Sequence, residues 1–285
     1  MFKVEDITNK IFNGDCIKVM RDIPSESIDL IVTDPPYLIS YKTNHRKDKD
    51  HEFSTEIAND SNPQLIVDYI EQCERIMKND TAMYMFCSAD KVDFFKQEIE
   101  KKFKIKNMII WVKNNWTAGD LQGSFGRQYE IAFLVNKGRK KINGKRLTDV
   151  WNFNRVVGNS QVHQNQKPLD LIKQCIVKHS DEGDLIFDGF GGSGTTAFAS
   201  LELNRDYCIV EYEEKYCKII SQRCGNLIES YKDVPEIKDT VKDEPVKEVI
   251  KESVKENNIC LLCGVNYEGM TLEAHEARKF HQEYV

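Results

Sequence analysis

Short β-rich runs that alternate with amphipathic helical stretches constrain the fold of this 285-residue chain more than any other feature. The predicted strands are Lys10–Asn13, Ile28–Thr33, Thr81–Cys87, Ile105–Lys113, Gln128–Asn136, Asp184–Asp188 and Arg205–Glu211. Between them, stretches such as Asn62–Lys78 and Lys167–Ser180 carry apolar residues at helical spacing. This alternation is typical of a mostly parallel sheet with helices on both faces. The sequence therefore predicts an α/β fold with a doubly wound, seven-stranded, Rossmann-like sheet in residues 1–230.

The composition is that of a globular protein, with 40% hydrophobic and 30% charged residues. No apolar stretch approaches the roughly 18 residues of a membrane helix, and the first ten residues lack the apolar core of a secretion signal. We therefore expect a cytoplasmic protein without a membrane partner. Single cysteines within the periodic segments are predicted to be reduced packing residues. These are Cys16, Cys73, Cys87, Cys175, Cys208, Cys217 and Cys224.

The character of the chain changes after residue 230. Residues 231–256 mix Lys with Asp and Glu and include two prolines, which predicts a charged, solvated linker with at most a short helix. In residues 257–285, Cys260 and Cys263 precede His275 and His281, a pattern that resembles a two-cysteine, two-histidine zinc finger. The resemblance implies one structural zinc. The wide histidine spacing departs from that module, and an unstructured tail is the alternative.

The sequence Thr-Asp-Pro-Pro-Tyr at 33–37 ends the second predicted strand in an unusual way. Pro35 and Pro36 fix φ and lack an N–H group, so neither a regular strand nor a helix continues through them. The result is a stiff extended turn that holds the Asp34 carboxylate and the Tyr37 ring in a fixed relation. This arrangement indicates a functional site.

A glycine-rich turn follows the predicted strand that ends at Asp188, and a helix begins after it. Glycines allow close backbone approach to a ligand, and a helix N-terminus favours an anionic group. Glu211 ends the next strand about 20 residues later, where an acidic side chain can hold ribose hydroxyls. The turn lacks the lysine of a triphosphate-binding loop, and its spacing departs from G-x-G-x-x-G. The pattern favours a nucleoside-bearing ligand without a triphosphate, and S-adenosyl-methionine has that shape.

Taken together, DPPY at 34–37 and FDGFGGSGTT at 187–196 resemble the motifs of the amino-group DNA methyltransferases that use S-adenosyl-methionine. Residues 13–37, 127–135 and 163–176 are similar to segments that accompany these motifs in the family. The catalytic motif precedes the cofactor motif, as in the permuted beta class. The resemblance implies a methyltransferase sheet in permuted motif order, and site-specific methylation of the adenine amine in duplex DNA by base flipping.

The same resemblance assigns roles to individual residues. It implies that Asp34 and the Pro35 carbonyl accept the amine hydrogens, that Pro36 stiffens the turn, and that Tyr37 stacks on the flipped base. It places Asp15 at the cofactor's adenine and Lys167 at its carboxylate, although Asp15 also fits a helix cap and Lys167 a solvated helix start. The remaining implied cofactor-binding residues are Asp188, Gly189, Phe190, Gly191, Gly194, Thr195, Thr196 and Glu211.

Residues 136–147 form a strongly basic segment, which we call the basic loop. Its cations are Lys137, Arg139, Lys140, Lys141, Lys145 and Arg146. We expect this loop to lie beside the catalytic turn and to contact DNA phosphates despite the net charge of −6, a solvated hairpin being the alternative. Methylation of cytosine or RNA by the same site, or DNA binding without catalysis, remain alternative functions. A homodimer also remains open.

Overall fold

The computed structural model describes residues 1–38, 61–116, 122–157 and 166–232. The chain divides into two units, Met1–Ser221 and Gln222–Val285. The predicted zinc ligands Cys260, Cys263, His275 and His281 lie outside the described residues, as does the predicted linker after Lys232. The zinc site and the domain boundaries therefore stay predictions, and the catalytic candidates all belong to the first unit.

Seven helices and eight strands make up the described part of the chain. The helices are α1 (Val4–Ile7), α2 (Cys16–Asp22), α3 (Pro63–Ile76), α4 (Val92–Glu100), α5 (Leu169–His179), α6 (Thr195–Glu202) and α7 (Glu214–Lys232), with a 3₁₀ turn at Ala89–Lys91. The strands are β1 (Lys10–Asn13), β2 (Ile28–Thr33), β3 (Met77–Cys87), β4 (Lys104–Val112), β5 (Tyr129–Lys137), β6 (Val150–Asn152), β7 (Leu185–Asp188) and β8 (Asp206–Glu211). Among these described helices, none is both long and apolar enough to cross a membrane.

All seven predicted strands are present, but the predicted strand number is wrong. The sheet has eight strands, because β6 adds a short parallel strand at the edge beside β4. The strand order is β1-β8-β7-β2-β3-β5-β4-β6. Strand β5 runs antiparallel to both of its neighbours, β3 and β4, whereas the other pairings are parallel. The sheet is therefore mixed, with a parallel half that holds β1, β8, β7, β2 and β3.

Helices cover both faces of the sheet, as the sequence predicts. On one face, helices α2, α3 and α4 bury side chains such as Ile17, Tyr69 and Phe95 against the strands. On the other face, α5 and α6 contribute Leu171 and Ala199 to a second apolar cluster. Burial of these helix faces supplies most of the stability of such a layered domain.

The chain reverses its direction of winding between β7 and β2, which are neighbours in the sheet. From β2 the chain continues outward to β3, whereas from β7 it continues to β8 on the other side. Doubly wound sheets bind ligands at such a switch point, outside the carboxyl ends of the strands. In this protein, both predicted motifs follow directly from those two strand ends, at Thr33 and Asp188.

Candidate active site

The catalytic turn, residues 34–37, continues directly from β2 at the switch point. Pro35 and Pro36 are buried, whereas Asp34 and Tyr37 are partly exposed. The Tyr37 hydroxyl donates a hydrogen bond of 2.5 Å to Asp34 Oδ1. Because the two intervening prolines restrict the backbone, the phenol and the carboxylate are held in this relation.

Three charged residues from other parts of the chain form a network of contacts with the catalytic turn. Lys167 Nζ donates to Asp34 Oδ2 at 2.5 Å, and it lies 3.0 Å from the Tyr37 hydroxyl and 3.2 Å from Glu130 Oε2. The Tyr37 hydroxyl lies 3.2 Å from the same Glu130 oxygen. Lys113 Nζ donates to the other oxygen, Glu130 Oε1, at 3.1 Å. We call these five residues the catalytic cluster.

The place of Lys167 differs from the sequence-based expectation. Only 6% of Lys167 is exposed and α5 begins at Leu169, so a solvated helix start is wrong. Its ammonium approaches the rings of Tyr37 and Phe86, with distances of 5.3 and 5.2 Å to the ring centroids. Lys167 therefore contacts the catalytic turn and β5. The resemblance to known methyltransferases had instead placed it at the carboxylate of the cofactor.

Glu130 and Lys113 are functional candidates that the sequence interpretation missed. Glu130 stands at the start of the strand Tyr129–Lys137, whose later residues are mostly buried. A carboxylate at the entry of a buried strand was the available signal. Lys113 directly follows β4, and β4 and β5 pair so that Val112 lies opposite Tyr129. The antiparallel pairing of these two strands brings the residues together.

The two carboxyl groups of the cluster have pKa values that are shifted in opposite directions. Burial raises the pKa of Asp34, and Lys167 opposes this without cancelling it, while the charge of Glu130 adds to it. Burial acts in the same direction on Glu130, but Lys167 and Lys113 outweigh it and hold the pKa of Glu130 below its usual range. Burial alone would lower the pKa of Lys167, yet Asp34 and Glu130 raise it. The cluster therefore shifts the pKa values of its two carboxyl groups in opposite directions.

The glycine turn, residues 189–194, joins β7 to α6 beside the catalytic turn. A Cβ atom on Gly191 would collide with the Ile209 side chain, and one on Gly189 would collide with Tyr69. Gly194 has φ +77° and directly precedes the first residue of α6, Thr195. Close packing at two positions and a left-handed backbone at the third explain why glycine is required there.

Two acidic side chains fix the path of this turn. Asp188 is buried, accepts from Phe190 N at 3.0 Å and from Thr196 Oγ1 at 2.8 Å, and burial raises its pKa to about 7. Glu211 Oε2 accepts from Gly192 N at 2.7 Å. Ser193 and Thr195 share a hydrogen bond of 2.9 Å between their hydroxyls. The predicted cofactor residues after β7 and β8 are thus brought together at one place.

Tyr69 of α3 connects the two motifs. Its hydroxyl forms a hydrogen bond of 2.9 Å with Thr33, the last residue of β2, and accepts from Gly189 N at 3.2 Å. Its ring packs on Phe190 with 4.8 Å between centroids. A fully buried tyrosine thereby holds the catalytic strand and the glycine turn in a fixed relation.

Asp15 is the N-cap of α2, where its carboxylate accepts from Lys18 N at 3.0 Å. The capping interpretation is therefore correct. Asp15 also lines a cavity of about 210 Å³ between α2 and α3, together with Asn62, Leu65 and Asp68. Asp15 itself follows two residues after Asn13, which pairs with Glu211 at the end of β8. The cap and a contact with a ligand are compatible.

The expected place of the basic loop is wrong. Lys137 pairs with Thr81 at the amino-terminal side of the parallel strands, whereas Ile131 pairs with Cys87 at the side of the catalytic turn. Seven residues of antiparallel strand separate the two ends by roughly 20 Å. The basic loop leaves β5 at the far end, because β5 runs opposite to its neighbours.

Lys137 forms hydrogen bonds within the protein, and its predicted contact with DNA stays a prediction. Its ammonium donates to the Glu74 and Met77 carbonyls at 2.9 and 2.8 Å. These carbonyls belong to the end of α3 and the residue after it, so Lys137 stabilises a helix C-terminus. Of the other cations, Arg139, Lys141, Lys145 and Arg146 are exposed and Lys140 is partly buried.

The described cysteines Cys16, Cys73, Cys87, Cys175, Cys208 and Cys217 are buried free thiols, as predicted, and Cys224 is also buried. Among the residues that the structure describes, no group of three or more His, Cys, Asp or Glu side chains could hold a metal ion.

Comparison with known proteins identifies the family to which the chain belongs. Residues 28–222 match the family model for DNA methylase, N6_N4_Mtase. The chain is 25% identical to the type II methyltransferase M.HinfI of Haemophilus influenzae, over 98% of this chain and 88% of that protein. It is 26% identical to the DNA adenine methyltransferase YhdJ of Escherichia coli K12, over 73% and 80% of the two chains.

The fold agrees with a solved relative. The crystal structure of the M1.HpyAVI–SAM complex superposes with a TM-score of 0.59 at 25% identity, covering 75% of this chain and 98% of that chain. With both motifs joined at the switch point of a methyltransferase-like sheet, the chain belongs to the N6/N4 family of DNA methyltransferases.

Proposed function

We propose that this protein transfers a methyl group from S-adenosyl-methionine to the N6 amine of adenine at a specific sequence in duplex DNA. One observation carries the proposal: the Asp-Pro-Pro-Tyr turn and the glycine turn lie on neighbouring strand ends and are bridged by Tyr69. A base presented to Asp34 would therefore lie beside a ligand held by residues 188–196.

The residues around the glycine turn fit S-adenosyl-methionine. Glu211 accepts one backbone N–H on each oxygen, from Gly192 and Glu213, and each oxygen retains acceptor capacity for a ribose hydroxyl. Asp15, which follows the strand that pairs with β8, would contact the adenine. The start of α6, with Thr195 and Thr196, would face the methionine carboxylate, because N–H groups at a helix N-terminus favour an anion. The relative M1.HpyAVI, solved with SAM, supports this cofactor.

The catalytic turn addresses the low reactivity of the target amine, whose lone pair is delocalised into the base. Asp34 and the Pro35 carbonyl would accept its two hydrogens and draw the nitrogen towards tetrahedral geometry. Pro35 and Pro36 hold these acceptors in place before the base arrives. The cofactor, when bound, supplies an electrophilic methyl group on a sulfonium. Asp34 then takes the proton that the methylated nitrogen must lose, and its raised pKa makes it a better acceptor.

Adenine is our proposed target, because an aspartate stands at position 34 and because the relative YhdJ is a DNA adenine methyltransferase. The family also includes N4 methyltransferases, and the cytosine amine presents the same chemistry to Asp34. We propose that Tyr37 stacks on the flipped base, which requires its ring to keep one face accessible.

DNA contacts away from the target base are a separate proposal. We propose that five cations of the basic loop contact DNA phosphates at the amino-terminal ends of the parallel strands, opposite the catalytic turn. They are Arg139, Lys140, Lys141, Lys145 and Arg146. We further propose that residues 257–285 bind one zinc through Cys260, Cys263, His275 and His281. A cytoplasmic location fits a protein that modifies cellular DNA.

The test uses purified protein, tritiated S-adenosyl-methionine and unmethylated duplex DNA, with RNA as the competing acceptor. Mass spectrometry of the digested product should detect N6-methyladenine. Detection of N4-methylcytosine would overturn the assignment of adenine as the target. Label in RNA alone would overturn the assignment of duplex DNA as the substrate. Absence of any methyl transfer would overturn the proposed enzymatic activity. The Asp34→Ala variant should lose transfer but bind S-adenosyl-methionine with nearly wild-type affinity.

A further inference from the structure

We propose that three exposed aromatic side chains, Trp116, Phe125 and Tyr129, contact bases of duplex DNA around the nucleotide that enters the catalytic turn. We call these three residues the edge aromatics. The inference rests on the proposed function, because it concerns how the same site receives its substrate. It identifies a surface for base contacts that is separate from the basic loop.

Exposed aromatic rings lie at the edge of the sheet that carries the catalytic turn. Trp116 is 68% exposed and Phe125 is fully exposed, although phenylalanine is among the residues most often buried. Trp116 follows the end of β4 and Tyr129 begins β5, and both of these strand ends lie on the side of the catalytic turn. Among the residues whose side chains the structure describes, one further aromatic side chain is exposed, and it follows β8 at the same edge. It is Tyr212.

The chain that carries the edge aromatics is anchored on both sides of them. Lys113 N donates to Gln128 O at 2.8 Å, and Gln128 Nε2 donates to Lys113 O at 2.8 Å. The Arg127 guanidinium forms two hydrogen bonds with Asp90, of 2.6 and 2.5 Å, which join it to the segment after β3. The backbone beside the rings is therefore held in place while the rings themselves face solvent.

The edge aromatics begin next to the catalytic cluster. Tyr129 directly precedes Glu130, whose Oε2 lies 3.2 Å from the Tyr37 hydroxyl. Tyr129 also pairs with Val112, the last residue of β4, so both ends of the connection that carries Trp116 and Phe125 meet at the cluster. A duplex that presents a base to Asp34 therefore lies against this surface. This continuity identifies duplex DNA as the occupant.

The charges at this edge favour contact with bases over contact with phosphates. Three cations at the edge form ion pairs with carboxylates of the protein. They are Lys113, Arg127 and Lys167. A flipped nucleotide leaves flat faces of the neighbouring bases unstacked, and aromatic rings stack on such faces. Because stacking neutralises no phosphate, it should contribute little to the salt dependence of DNA binding.

Trp116 gives a direct test, because the other two tryptophans of the chain, Trp111 and Trp151, are only 2% and 7% exposed. Acrylamide should quench the fluorescence of the free wild-type protein. A duplex that the protein methylates should reduce this quenching to the level of Trp116→Phe, which keeps only the buried pair. Quenching that saturating duplex leaves unchanged would overturn the proposal. Quenching that falls as the concentration of DNA-free protein rises would assign the surface to a second copy of the chain and would also overturn it.

A double variant tests whether the rings contribute to binding. Trp116→Ala combined with Phe125→Ala should bind the same duplex at least about 10-fold more weakly at every salt concentration, since one base–aromatic stacking contact has about this effect. Met108→Ala is the matched control, because it removes an apolar side chain that is 45% exposed in the middle of β4, and it should bind like wild type.

All these variants should bind S-adenosyl-methionine within twofold of wild type. Wild-type DNA affinity in the double variant would overturn the proposal, as would a loss of affinity that disappears at high salt. Failure of the wild-type protein to methylate any duplex would instead refute the proposed function, so the two failures are distinguishable.

Discussion

Acidification from pH 7 to pH 5 should cost the folded protein about 2 kcal/mol through one buried imidazole. His179 ends α5 and is 2% exposed, with Nδ1 at 2.6 Å from the Tyr84 hydroxyl. Burial lowers the pKa of His179 to about 4, and the charges of Lys140 and Lys178 act in the same direction. The neutral imidazole is thus the form that the fold accommodates.

The sign and size follow from proton linkage. An unfolded histidine titrates near 6.5, so at pH 5 the unfolded chain binds almost a full proton at this residue and the folded chain about a tenth. Stability from His179 therefore falls as pH decreases from about 6.5 towards 4. Asp188 acts oppositely: its folded pKa of about 7 exceeds the usual 3.8, so its contribution rises on acidification by a similar amount, about 2 kcal/mol. The dependence of wild-type stability on pH therefore does not show either contribution by itself, because the two offset each other.

Variants isolate the contribution of His179 to the pH dependence of stability. Urea unfolding, followed by the fluorescence of the buried Trp111 and Trp151, would be measured at pH 5, 6 and 7. Relative to wild type, His179→Gln should gain about 2 kcal/mol of unfolding free energy between pH 7 and pH 5. Tyr84→Phe removes the hydrogen-bond partner but keeps the buried imidazole, so it should lower stability by about 1 kcal/mol at every pH. Parallel pH profiles for His179→Gln and wild type would refute the reasoning.

Three further predictions concern the cofactor turn, the basic loop and the C-terminal segment. Gly191→Ala would place a methyl group against Ile209, so calorimetry should show at least a tenfold loss of affinity for S-adenosyl-methionine, while Gly225→Ala, with nothing within 4 Å, should show none. Changing Arg139, Lys140 and Lys141 to Gln should weaken binding to all duplexes alike and flatten its salt dependence without lowering kcat, because the basic loop lies at the far edge of the sheet. A changed sequence preference with an unchanged salt slope would instead identify base contacts. Elemental analysis of the full chain should find about one zinc, which Cys263→Ser loses while it retains cofactor binding; zinc-free protein would refute the site.

The sequence predicts those elements whose structure is decided locally. Six of the seven predicted strands contain apolar residues that are buried in the sheet, and β1 is partly exposed, whereas β6 was missed. Its three residues, Val150–Asn152, carry little pattern of their own and become a strand because β4 offers an edge to pair with. The two turns were likewise predictable, because proline and glycine restrict or free the backbone at their own positions.

Only the tertiary structure decided what surrounds those turns. Glu130 and Lys167 lie 96 and 133 residues beyond Asp34 in the chain, and strand register, not sequence spacing, brings them within hydrogen-bonding range of the turn. The direction of β5 likewise carries Glu130 to the catalytic turn and the basic loop to the opposite edge. The sequence by itself predicted the fold class and the two motifs, since these depend on local backbone restraint and hydrophobic periodicity. The resemblance of the motifs to a known family implied the type of chemistry. The partners of Asp34 and the place of the basic loop depend on pairing between strands that are distant in the chain. The local pattern of a single sequence does not predict that pairing.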